Sequence, residues 1–243
     1  MALVGVAEEF AEFFTKDATI PRNLQTLFVA GLWRSRFVQE LCWYVGLLDL
    51  HDISVDDLPL LAPTWSWASS QRPISAQKRR YWEYRPFATL ADVQITYEAD
   101  WTCQGSTQLV CRLLETRLGD ALTGRLVSDR RRAVHIQASG FEQYWTELIL
   151  DRSRSYSAEY PIFLVALGCH WNVIESWGPL ALTAFEGIGI AHSANRAGAF
   201  ERVGYFLCID PTLPQYKSSG EGNLFAYLQE HHESDTSRTI IVV

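Results

Sequence analysis

No apolar run in this 243-residue sequence approaches the roughly 18–20 residues that cross a bilayer as a helix. The longest, around Pro161 to Cys169, has the length of a buried strand. A secretory leader is also lacking: Met1 to Phe14 has no basic start and carries Glu8, Glu9 and Glu12. Cytoplasmic residence is the expectation. Cysteine is sparse and badly spaced for cross-linking. The five residues (Cys42, Cys103, Cys111, Cys169 and Cys208) are odd in number and contain no C-x-x-C pair, which argues against a disulfide framework and against a zinc site. Positive charge is in deficit, with 21 Lys and Arg against 28 Asp and Glu. That balance disfavours a nucleic-acid partner, which needs a basic footprint. The two basic clusters, Lys78-Arg79-Arg80 and Arg130-Arg131-Arg132, read as solvated charge at turns and strand edges. Internal repeats and low-complexity tracts are missing too.

Linear catalytic motifs are equally scarce. There is no P-loop, no G-x-S-x-G and no H-E-x-x-H. Asp49, His51 and Asp52 form a carboxylate–histidine cluster, but no nucleophile motif accompanies it. Cys169 and His170 are sequence neighbours, and on a strand they would face opposite sides. Glu230, His231, His232 and Glu233 lack the i, i+3 or i, i+4 spacing of helical metal ligands. Gly187-Ile188-Gly189 lacks the third glycine of a dinucleotide fingerprint and reads as a bend between strands. The expected catalytic, cofactor-binding and metal-binding sets are therefore empty, and the chain reads as a non-enzyme.

What the chain has in abundance is aromatic side chains. They make up 13% of it, with nine tryptophans, so its core must accommodate many large rings. Apolar residues at helical spacing predict a helix over residues 2–15 and a second from about Asn23 to Leu48, with Gly31 able to split it. Residues 47–61 read as an acidic loop. Beyond residue 62 short apolar or β-branched runs alternate with turn residues. They predict strands at Phe87–Glu98, Gln108–Leu118, Ala133–Ala138, Pro161–Cys169, Pro179–Ala184 and Phe200–Asp210. Tyr144–Leu150 and Thr239–Val243 are further candidates. The expected fold is α+β: N-terminal helices packed on a mainly antiparallel β-sandwich or partly open β-barrel. A helical segment, 1–50, and a β-rich region, 51–243, are expected to share one core as a single domain.

The most distinctive stretch is Ala62-Pro63-Thr64-Trp65-Ser66-Trp67-Ala68-Ser69. Pro63 fixes its own φ and biases Ala62 toward extended backbone. If the stretch is extended, Trp65 and Trp67 share a face and enter the core as a pair of aromatic wedges. An exposed aromatic platform is the functional alternative. Arg202, in Glu201-Arg202-Val203-Gly204, is placed to anchor a buried carboxylate, and Gly204 to permit close backbone approach.

Four segments in the right order carry a family resemblance: Ala30-Gly31-Leu32-Trp33, Leu41-Cys42-Trp43, the block from Ala62 to Ser69, and Arg202-Val203-Gly204-Tyr205-Phe206. In these the chain resembles the region that follows the HET module in fungal heterokaryon-incompatibility proteins, although Thr64 stands where that family usually has serine. The resemblance covers roughly residues 29–243. It implies a role in self/non-self recognition and programmed cell death. The upstream HET module, likened to TIR folds with proposed NAD-cleaving chemistry, has no counterpart here. The implied function is an accessory, regulatory or protein-interaction region, with an upstream HET module or another protein as partner. The alternatives are an enzyme whose site is assembled non-locally, for example from His51, His170 and Asp210, and a degenerate remnant without activity.

Overall fold

The computed structural model describes residues 28–45, 62–70, 74–76, 84–97, 103–121, 131–136, 145–151, 161–173, 181–209 and 237–243. Those residues are mostly β, and the α+β expectation with packed N-terminal helices is wrong for them. Over its described residues, 28–45, the helix predicted from Asn23 to Leu48 is instead a string of short elements. Strands β1 (Phe28–Val29) and β2 (Leu32–Trp33) pair as a hairpin. A 3-10 turn over Arg34–Arg36 follows, then the one-turn helix α1 (Phe37–Glu40) and strand β3 (Trp43–Val45). The hairpin turn explains the error. Ala30 and Gly31 both have positive φ, 45° and 93°, as a type I′ turn needs and a right-handed helix forbids. The apolar spacing is real, but tertiary contacts bury those residues without a continuous helix. The helix expected over residues 2–15 lies outside the described residues.

The β-rich part follows the predicted strands more closely. After β4 (Ile74–Ala76), which pairs with β3, come β5 (Tyr84–Pro86) and β6 (Thr89–Tyr97). The single strand expected over Gln108–Leu118 is two, β7 (Cys103–Cys111) and β8 (Leu113–Ala121). Next are β9 (Arg131–Ile136), β10 (Trp145–Leu150), β11 (Ile162–Val173), β12 (Ala181–His192), β13 (Phe200–Ile209) and β14 (Arg238–Val242).

These strands form one mixed sheet that closes on itself. Antiparallel pairing runs β10-β9-β8-β11-β12-β13, and β13 pairs back to β10 from Trp145↔Ile209 to Leu150↔Gly204. The result is a six-stranded barrel. Strands β14, β7 and β6 extend from it as a wing, joined by a parallel contact between Phe200 of β13 and Val242 of β14. Leu148 and Leu150 of β10, Leu164 of β11, Phe185 of β12 and Phe206 of β13 belong to one buried cluster. With Leu114 of β8, this cluster draws on five of the six strands of the ring and lies inside it. Alternate residues, including Ile149, Val165, Ile188 and Tyr205, join a second cluster on the outer face with Phe37, Leu41 and Trp65.

About eight strands make a barrel whose interior side chains just fill it. Six make a tighter one, so part of the lining must be very small. Gly187 and Gly189 meet that need. A Cβ on Gly187 would lie 1.9 Å from the Val165 carbonyl oxygen, and one on Gly189 2.8 Å from the Leu148 side chain. Gly187-Ile188-Gly189 is thus in the middle of a strand and not a bend between strands.

Candidate functional site

The tryptophan block is a turn followed by a 3-10 helix over Trp67–Ser69, not an extended segment. The Ser66 amide donates to the Pro63 carbonyl at 2.9 Å, and the Ser69 and Ser70 amides close back on Ser66 and Trp67. The Ser66 hydroxyl caps the turn by accepting the Ala68 amide at 3.0 Å. Such serine-to-backbone bonds compete with extended structure. Trp65 and Trp67 therefore do not share a face. Trp65 is wholly buried and packs on Phe37, ring centroids 5.2 Å apart. Trp67 is half-buried and covers the β1–β2 hairpin.

Every signature segment meets the others here. The Ser66 hydroxyl donates to the Ala30 carbonyl, and the Trp67 indole to that of Gly31 at 2.5 Å. Both carbonyls of the strained hairpin tip are thereby satisfied. A Cβ on Gly31 would stand 2.5 Å from that indole nitrogen, so the position demands glycine twice, for its φ and for its space. The Trp43 indole donates to the Trp65 carbonyl at 3.0 Å.

Arg202 ties this assembly to the barrel. Its side chain is fully buried, and Nε donates to Asp151 Oδ2 at 2.8 Å. Nη1 donates to the Leu41 carbonyl at 2.6 Å and Nη2 to the Trp43 carbonyl at 2.5 Å. The guanidinium also lies 3.5 Å above the Trp43 ring. Burial pulls its pKa below the ordinary arginine value, and Asp151 acts in the opposite direction. The Arg202 amide donates to the Thr64 hydroxyl at 3.0 Å, which itself donates to the Val243 carbonyl. Val203 points into the barrel core, and a Cβ on Gly204 would sit 2.3 Å from the Ile149 carbonyl oxygen. Leu32 is buried, and Trp33 donates its amide to Glu40 Oε2 at 2.5 Å. Burial pushes the Glu40 carboxyl from 4.5 up to about 7, against the Trp33 bond and Arg36.

Beside this knot lies an open cleft of about 650 Å³. Its base is Ala62-Pro63-Thr64 and Val243. One wall is the end of the β6–β7 hairpin, and the other is the turn over residues 193–196 with Glu201. No linear pattern marks this cleft, because its walls come from segments far apart in the chain. Asp151 was missed too, although an acid directly after the apolar strand end Leu148-Ile149-Leu150 is the available signal.

Of the linear candidates, Asp49, His51, Asp52, Asp210 and the run Glu230-His231-His232-Glu233 lie outside the described residues. Cys169 is buried in the barrel core, and all five cysteines are free thiols. Among the described residues no three His, Cys, Asp or Glu side chains are grouped to hold a metal, and no helix is long and apolar enough to cross a membrane. No protein-family profile, no curated protein and no solved structure matches the chain.

Proposed function

We propose that this chain is a non-catalytic accessory or protein-interaction region of a HET-type fungal self/non-self recognition protein, resident in the cytoplasm. One observation carries the reading. The four segments of the resemblance, spread from Ala30 to Phe206, meet in a single hydrogen-bonded knot through Ser66, Trp67, Trp43 and Arg202. Chance likeness in four separate segments gives no reason for them to touch. A signature that specifies a fold does. The knot's polar groups are spent on holding backbone carbonyls, which is the work of a scaffold and not of a reacting centre.

The partner is an upstream HET module or another protein. The test is to mix the purified chain with a separately expressed HET module and to follow complex formation by calorimetry and NAD by absorbance. Saturable complex formation is expected, with no loss of NAD from the chain alone. NAD turnover by the isolated chain refutes the non-catalytic reading, and absence of any complex refutes the accessory role.

A further inference from the structure

The cleft beside the knot has the volume of a small-molecule site, which runs from roughly 300 to 1,000 Å³. Polar side chains stand among its apolar lining residues. Thr96, Gln104 and Ser106 come from the β6–β7 hairpin, and Asn195 and Arg196 from the opposite turn. These groups offer hydroxyl and amide donors and acceptors, with no aromatic ring among them. A ligand that suits such walls is itself rich in hydrogen-bonding groups.

Two charged residues narrow the class. Arg196 is exposed on a turn that Ser193 fixes by accepting the Asn195 and Arg196 amides, each at 3.2 Å. Its guanidinium makes no ion pair among the described residues, so its fork can receive an oxyanion bidentately. Glu201, on the same wall, receives the Ser193 hydroxyl on Oε1 at 2.7 Å. Its other oxygen is an acceptor suited to a ligand hydroxyl and disfavours a second anionic group beside it. The wall thus specifies one anionic group and several hydroxyls.

We propose that this cleft binds a small polyhydroxylated molecule with one anionic group, a carboxylate or phosphate held by Arg196, and with its hydroxyls held by Glu201 and the β6–β7 wall. This proposal does not rest on the reading given above. Its position over Thr64, which joins Arg202 to Val243, puts a bound ligand directly on the knot.

Cys103 lines the cleft and, unlike the four buried cysteines, is half-exposed. It is a built-in reporter. Burial raises its pKa, so alkylation is followed at alkaline pH. The probes are glucuronate and inositol monophosphate, with glucose and inositol as their uncharged counterparts, each at millimolar concentration. At least one anion is expected to slow Cys103 alkylation and raise Tm, and to bind about tenfold or more tightly than its neutral parent, as loss of a charged hydrogen bond implies. Whichever anion acts identifies carboxylate or phosphate as the preferred group. Arg196→Ala, a change on an exposed turn, removes the preference. The proposal is overturned if neither anion protects Cys103, if the neutral compounds protect as well, or if Arg196→Ala leaves the preference intact.

Discussion

Gly31 and Gly198 separate two costs that a glycine can hide. Both have positive φ, 93° and 74°. Beside Gly31 stands the Trp67 indole, whereas nothing lies within 4 Å of a Cβ on Gly198. Gly198→Ala is therefore expected to cost only the backbone strain, about 1–2 kcal/mol. Gly31→Ala adds the clash and the loss of the Trp67 bond, for about 3 kcal/mol or more. Urea unfolding of the two variants gives the comparison directly. At Arg202 the issue is charge. Asp151→Ala leaves a fully buried guanidinium without its carboxylate and is expected to cost about 3–5 kcal/mol. The double variant Asp151→Ala with Arg202→Met removes the orphaned charge as well, and should recover part of that loss in the same assay. Glu40 gives a pH dependence of defined sign. A carboxyl raised from 4.5 to about 7 keeps its proton longer in the folded state. Stability is then full below pH 4.5 and falls as pH rises toward 7, by at most about 3 kcal/mol. Glu40→Gln retains the acceptor for the Trp33 amide without the buried charge. Its stability should exceed that of the parent at pH 8 and match it near pH 4.5, as thermal unfolding at the two values would reveal.

At the scale of elements, β12 and the tryptophan block show what period alone conveys. Strands β11 to β13 were visible because β-branched and apolar runs bounded by turn residues have few other solutions. Their register was not, because pairing partners are chosen by sheet closure. Gly187 is the clearest instance. In sequence it looks like a breaker, yet in the barrel it sits against the Val165 carbonyl oxygen at a distance no Cβ tolerates. Gly187→Ala should push β11 from β12 and abolish the cooperative unfolding transition, followed by circular dichroism. The helix expected over Asn23–Leu48 failed for the converse reason. Its apolar residues do repeat, but Ala30-Gly31 turns the chain back and Trp67 and Ser66 hold it there. Hydrogen bonds from residues 36 positions away cannot be read from local spacing.

Over the whole molecule the barrel and the wing are unequal partners. The barrel closes through β10 and β13 and has its own buried cluster. The wing is held by β14, which pairs with β7 from Arg238↔Cys111 to Val242↔Thr107 and with β13 only at Phe200, and by side chains such as Leu109 and Ile240 that share the outer-face cluster with Val165 and Ile188. Stability is rarely uniform in such arrangements. Deleting residues 238–243 is expected to speed amide exchange in β6 and β7 by orders of magnitude while β10–β13 stay protected. Equal loss of protection in the barrel would mean that the two fold as one unit.

The sequence by itself determined the β-rich character beyond residue 62, most strand positions, the unpaired cysteines and the net negative charge. Each follows from composition or from a period of two along one strand. It also marked Trp65, Trp67, Gly31 and Arg202 as unusual. Only the tertiary structure decided that they belong together, that Asp151 is the carboxylate to which Arg202 donates, and that an open cleft lies beside them. Those facts depend on sheet closure and on hydrogen bonds between residues as much as 179 positions apart. A burial free energy settles such contacts only after the whole ring has formed, and no local pattern encodes it.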